Sequence, residues 1–183
     1  MKMQTKILKA KPIVDYTVER YREDVIPSIE TVLNGKINLA VVMVGDNPAS
    51  KKYVENKRKL CEKVGINMNV YHFDTATPAQ IYTTIIELNE TDNVYGIILQ
   101  LPLPKELKQH EQVLINAISP EKDVDGLTSA SAAELYTTNG NSHFVPCTPK
   151  GILNLLIGYE IPIENQNIVI VGRGRLIGKP LAE

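Results

Sequence analysis

Residues 37–65 constrain the fold more than any other stretch. An apolar, β-branched run, INLAVVMV, breaks at Gly45 and gives way within three residues to a helical pattern. Asn47-Pro48 starts that helix, since an Asn side chain accepts a free backbone N–H and Pro at the first helical position forfeits no hydrogen bond. Gly65 stops it. Two more strand-length runs, NMNVYHF over 67–73 and VYGIIL over 94–99, flank a second helix that opens at Thr77-Pro78 and runs to about Glu90. Strands that alternate with helices and are apolar nearly throughout predict an α/β fold with a parallel sheet covered on both faces. An amphipathic helix over 15–33, interrupted at Pro27 and ended by Asn34-Gly35, precedes this unit. Helices over 105–117, 128–136 and 148–158 follow it, with a loop over 137–147, and 167–171 (NIVIV) reads as a last strand.

Charge and cysteine content narrow the function. A formal net charge of −1 over 183 residues, with no long basic run, argues against a nucleic-acid or membrane-surface partner. Cys61 and Cys147 lie far apart with no CxxC partner, which indicates neither a disulfide framework nor a zinc site and suits a reducing cytoplasm. The N-terminus is basic without an apolar core of signal length, and no stretch reaches the length of a membrane span.

Four places carry candidate chemistry. On the 48–64 helix, Tyr53 and Lys57 stand one turn apart on one face, at the edge of an apolar stripe of Val54, Cys61 and Val64 with Leu60 beside it. Partial desolvation there suits a lysine that trades protons, although a snorkelling lysine beside a packed tyrosine has the same signature. Gln100 comes just after the third strand, where parallel α/β folds hold their ligands, and Pro102 and Pro104 stiffen the loop behind it. Asp123 and Asp125, two apart, would face the same way on an extended segment. No histidine or third carboxylate stands at metal-ligand spacing from them, and His72, His110 and His143 are scattered, so no metal site is expected. A lone carboxylate before Gly126 is better suited to a planar ring bearing N–H donors. Finally, Gly172-x-Gly174-x-x-x-Gly178 follows the last apolar run as a dinucleotide-binding turn would, or as an ordinary tight turn; the spacing and Pro180 exclude a P-loop.

In chain order, Ser50-x-x-Tyr53-x-x-x-Lys57, Gln100-Leu101-Pro102-Leu103-Pro104, Asp123-Val124-Asp125-Gly126, Pro146-Cys147-Thr148-Pro149-x-Gly151 and Gly172-Arg173-x-x-x-Ile177-Gly178-x-Pro180 resemble the methylenetetrahydrofolate dehydrogenase/cyclohydrolase family. The resemblance implies oxidation of 5,10-methylenetetrahydrofolate with NADP (NAD being the other possibility), then hydrolysis of the methenyl product to 10-formyltetrahydrofolate, in a cytoplasmic homodimer. It implies Lys57 as acid/base, Gln100 and Ser50 as residues that place it, Tyr53, Asp125 and Pro102 as folate contacts, and Gly172, Arg173, Gly174 and Gly178 as cofactor contacts. It divides the chain into a folate-binding catalytic domain over 1–146 and the start of a Rossmann-type nucleotide-binding domain over 147–183, cut short relative to the family.

Two positions depart from the family pattern: Gly174 replaces a usual Ser, and Ser131-Ala132-Ala133 replaces an Asn-x-Gly. Helix geometry also sets Lys57 about 14 Å along its helix from Pro48, at ~1.5 Å per residue, so spacing alone does not bring it to the strand ends. The alternatives to the bifunctional enzyme are a non-catalytic folate-binding or interaction module and, more remotely, an unrelated Rossmann dehydrogenase.

Overall fold

The structure, a computed structural model, describes residues 7–137 and 144–183. The basic stretch 1–6 and residues 138–143 of the expected 137–147 loop, His143 included, lie outside the described residues. In chain order the elements are α1 (Ala10–Arg20), α2 (Ile26–Leu33), β1 (Asn38–Val44), α3 (Pro48–Val64), β2 (Asn67–Phe73), α4 (Pro78–Asn89), β3 (Val94–Leu99), α5 (Glu111–Asn116), α6 (Ser129–Thr137), α7 (Cys147–Gly158) and α8 (Gly178–Ala182).

The three strands form a parallel sheet in the order β2-β1-β3. On one face, Ala40, Val42, Val44, Ile97 and Leu99 pack against Ile81, Ile85 and Leu88 of α4 and Leu114 and Ile115 of α5. On the other, Val41, Met43 and Ile98 meet Val54 of α3, with Val124 partly buried against them. Each of the fully buried valine, leucine, isoleucine and methionine side chains contributes roughly 1.5–3 kcal/mol by leaving water. The expected coverage of both faces holds for β1 and β3. It fails for β2, one of the two edge strands, whose Val70 and Tyr71 remain 38% and 37% exposed.

Local signals set most of the boundaries. Asn47 Oδ1 accepts from the N–H groups of Ala49 (2.9 Å) and Ser50 (3.1 Å), and Gly65 closes α3 at φ +92°. Thr77 and Gln80 form a reciprocal capping box at α4. The helix expected over 15–33 begins earlier, at Ala10, and its interruption is a π-helical turn over Tyr21–Val25 just before Pro27. Pro27 has no N–H to return to the preceding turn, which the wider turn accommodates. The helix expected over 105–117 splits into a 3₁₀ segment at Lys105–His110 and α5.

One predicted strand does not form. Residues 167–171 have no strand partner among the described residues, and Val169 and Val171 are 86% and 97% exposed. A strand is defined by the neighbour that takes its N–H and C=O groups, so an apolar run without one is not a strand.

The loop after β3's crossover is held by charge. Lys122 Nζ donates to three carbonyls at the end of α4, those of Leu88 (3.2 Å), Asn89 (2.7 Å) and Thr91 (2.9 Å). Asp123, 1% exposed, accepts from Leu127 N (3.1 Å), Thr128 N (2.8 Å) and Ser131 Oγ (2.7 Å). Ser131, a departure from the family pattern, thus has a structural task in this chain. Asp123→Ala should leave these donors without an acceptor and lower the unfolding free energy by about 3 kcal/mol, readable as a shifted urea midpoint.

Candidate active site

At the C-terminal end of the sheet a cavity of about 420 Å³ opens between α3, the segment after β3, the Asp125 loop and the start of α7. Tyr53, Lys57, Gln100 and Asp125 all line it, so four of the expected site residues converge although up to 72 positions separate them in sequence. Leu101, Leu127 and Leu176 supply apolar wall.

Gln100 is the hinge of this arrangement. Its backbone N–H donates to Val42 O at 2.8 Å, extending the β1–β3 ladder one residue beyond β3, and its side chain is 9% exposed. The amide Nε2 donates to Leu101 O at 2.6 Å, which turns Oε1 outward to accept from Lys57 Nζ at 3.3 Å. Lys57, half-buried, is therefore tied across the cavity to the end of the sheet instead of snorkelling to solvent. Tyr53, one turn earlier, is 63% exposed and presents an open ring to the same space.

Asp123 and Asp125 do not face the same way. The segment is a turn, with Gly126 N–H bonded to Asp123 O at 3.0 Å and Gly126 at φ +65°. Asp123 consequently points into the protein and half-buried Asp125 into the cavity. Gly126 is required twice over, because a Cβ there would also lie 2.8 Å from Phe144 O and 3.0 Å from Pro146 N. This packing seats the Asp125 loop against the start of α7. Cys147 Sγ there stands 3.7 Å from Asp125 Oδ1 and 3.6 Å from Val124 O. Burial pushes the Cys147 thiol pKa up, and the Asp125 carboxylate beside it pushes it further, so the sulfur stays protonated as a weak donor.

The remaining expected residues fall elsewhere. Ser50 is 3% exposed and its Oγ has no hydrogen-bond partner among the described residues; it lies one turn before Tyr53 and does not line the cavity. Pro102 lines a neighbouring cavity of about 470 Å³ with Asp46, Asp74 and Glu106. Next to that cavity His72 Nε2 approaches Asp46 (3.8 Å) and Asp74 (4.0 Å), a meeting that linear spacing hid. All three are exposed, and the hydrogen bond and charge of Lys51 hold the Asp46 carboxyl below its ordinary value.

In the glycine turn, Gly172 adopts φ +127°, and a Cβ on Gly178 would strike the Gly172 carbonyl, so both glycines are needed to close it. A Cβ on Gly172 or Gly174 would meet nothing within 4 Å, leaving this backbone open to close approach by a phosphate. Cys147, Leu127 and Leu176 were not singled out by sequence reasoning as cavity residues. Cys147 at least lies in a quoted motif, whereas nothing local marks the two leucines.

Residues 8–125 match the family model for the tetrahydrofolate dehydrogenase/cyclohydrolase catalytic domain, and residues 146–183 match that for the NAD(P)-binding domain of the same family. The bifunctional protein FolD of Paraburkholderia phytofirmans is 46% identical over 145 residues, covering 79% of this chain and 49% of its own. A crystal structure of bifunctional FolD from Campylobacter jejuni is 36% identical with a TM-score of 0.87, covering 97% of this chain and 61% of its own. The Trypanosoma brucei enzyme, solved with NADP cofactor and an inhibitor, is 27% identical with a TM-score of 0.84, covering 98% and 61%. The chain thus spans about half to three-fifths of the length of these relatives. With well over half of its residues matching the catalytic-domain model, the chain belongs to the tetrahydrofolate dehydrogenase/cyclohydrolase family.

Proposed function

We propose that this chain carries the folate site of a bifunctional enzyme that oxidises 5,10-methylenetetrahydrofolate and hydrolyses the methenyl product to 10-formyltetrahydrofolate. The observation that carries the reading is the Lys57 Nζ to Gln100 Oε1 contact at 3.3 Å inside a cavity that also holds Asp125 and Tyr53. Tyr53 offers a face for a flat ring to stack on, and Asp125 accepts N–H donors from a ring edge. Gln100 restrains Lys57 so that its nitrogen stays over the bound ring. In hydrolysis, water adds to the methenyl carbon and gives a proton to Lys57. As the carbon–nitrogen bond breaks, Lys57 returns a proton to the departing nitrogen, and the net reaction releases one proton. Ser50, buried one turn before Tyr53 on α3, and Pro102, in the wall next to the cavity, support this arrangement from outside it.

The Gly172, Arg173, Gly174 and Gly178 turn is the place where the pyrophosphate of NADP, or of NAD, would approach the backbone, and Arg173 supplies positive charge beside it. A nicotinamide held at this turn would supply the hydride acceptor for oxidation of the folate. Residues 1–146 act as the folate-binding catalytic domain and 147–183 as the first part of the nucleotide-binding domain. The assembly is a cytoplasmic homodimer, as the resemblance implies. No described helix is long and apolar enough to cross a membrane.

Lys57→Met in a form of the enzyme that includes both domains should slow methenyltetrahydrofolate hydrolysis by about a hundredfold or more, with folate affinity largely kept. Near-normal hydrolysis in that variant, followed spectrophotometrically, would sink the acid/base role. A wild-type enzyme that binds folate without hydrolysing the methenyl form would instead favour the non-catalytic module. Asp125→Ala should weaken tetrahydrofolate binding by roughly tenfold, as loss of charge-assisted hydrogen bonds to one ring edge predicts, and unchanged affinity by calorimetry would count against it. The 183-residue chain titrated with NADP should show no saturable micromolar binding, because the turn has no paired sheet behind it among the described residues. Micromolar affinity in that titration would refute this expectation.

A further inference from the structure

The glycine-rich turn does not stay within its own matched segment. Arg175 Nη1 donates to Oε1 of Gln112 on α5. Gln112 is itself held, its Nε2 donating to Asn116 Oδ1 at 3.0 Å and to Ser129 Oγ at 3.4 Å. Asn116 Oδ1 also accepts from Ser129 N at 2.9 Å, so Arg175 lands on a hydrogen-bonded bridge between α5 and α6. One residue later, Leu176 stands between two cavities. One is the cavity of Lys57, Gln100 and Asp125; the other, of about 190 Å³, is bounded by Gln112, Ser129 and Lys179. Leu176 is 46% exposed and lines both cavities.

We propose that Leu176 is a substrate-contact residue supplied to the folate cavity by the nucleotide-binding segment, and that Arg175 is the positioning residue that keeps it there through Gln112. This rests on the folate reading above. The physical case is that residues 167–171 have no ladder among the described residues, and the Arg175–Gln112 contact is a side-chain tie that locates the following turn. Within the turn, Lys179 N donates to Gly174 O at 3.1 Å, which ties Leu176 into the same closed loop as the phosphate-facing glycines. A ligand that orders this loop therefore also orders a wall of the folate cavity. By linkage, folate that covers Leu176 favours the loop conformation the nucleotide needs.

The test is calorimetric titration with tetrahydrofolate of the 183-residue chain and of Leu176→Ala, Arg175→Ala, Gln112→Ala, the Arg175→Ala/Gln112→Ala pair, Arg175→Lys and Asp125→Ala, using samples whose melting temperatures match the wild type. Leu176→Ala should weaken binding about fivefold, as expected for loss of apolar contact with the ring. Arg175→Ala and Gln112→Ala should each weaken it about threefold, and the pair no more than either alone, because both remove one interaction. Arg175→Lys, which still offers a donor to Gln112, should recover most of the affinity. Losses that add, or a lysine that fails to rescue, overturn the positioning role. Unchanged affinity in Leu176→Ala and Arg175→Ala alongside weakened binding in Asp125→Ala overturns the proposal and leaves the folate reading standing. A wild-type chain that does not bind tetrahydrofolate overturns that reading and this inference with it.

Discussion

The pairing of β1 with β3 is the constraint on which the rest depends. β1 is the central strand, its Ala40, Val41 and Val42 have no solvent exposure, and its ladder with β3 continues one residue further through Gln100 N to Val42 O at 2.8 Å. That last bond puts a polar side chain at the rim of an apolar sheet with its backbone already satisfied. Gln100 is then free to use both ends of its amide, one to lock onto Leu101 O and the other to hold Lys57. A lysine in the middle of α3 is recruited to the strand ends by a side chain, and the sheet's rigidity is passed to its amine.

Asp123 and Asp125 divide two tasks that one carboxylate cannot perform together. Asp123 is consumed by two backbone N–H groups and the Ser131 hydroxyl, a dense set of donors for a buried carboxyl group. Its anchoring leaves Asp125 two residues on, lining the cavity with the weak Cys147 thiol beside it. The neighbouring thiol is kept from ionising by burial and by that carboxylate, so the cavity does not gain a second negative charge beside Asp125. The cavity therefore presents one cation, one anion and an aromatic face, a charge pattern suited to a flat, polar heterocycle.

Sequence alone determined the strand and helix boundaries at particular local chemical signals: the Asn47-Pro48 start, the Gly65 stop, the Thr77-Pro78 start and the apolar runs of β1, β2 and β3. These are decided within a few residues by hydrogen-bond supply and backbone preference, and the chain can satisfy them before any distant contact forms. The motif string likewise made Lys57, Gln100, Tyr53 and Asp125 legible as a set through resemblance, although the helix rise alone set Lys57 far from the strand ends. Tertiary structure decided what no local pattern encodes. It turned Asp123 and Asp125 in opposite directions, because Gly126 must pack against residues 144–146. It left 167–171 without a strand partner among the described residues, because an apolar run becomes a strand only when a neighbour accepts its hydrogen bonds. It also brought Leu127, Cys147 and Leu176 to one cavity, since a wall is made by side chains that are near in space, and chain order carries that information only through the fold.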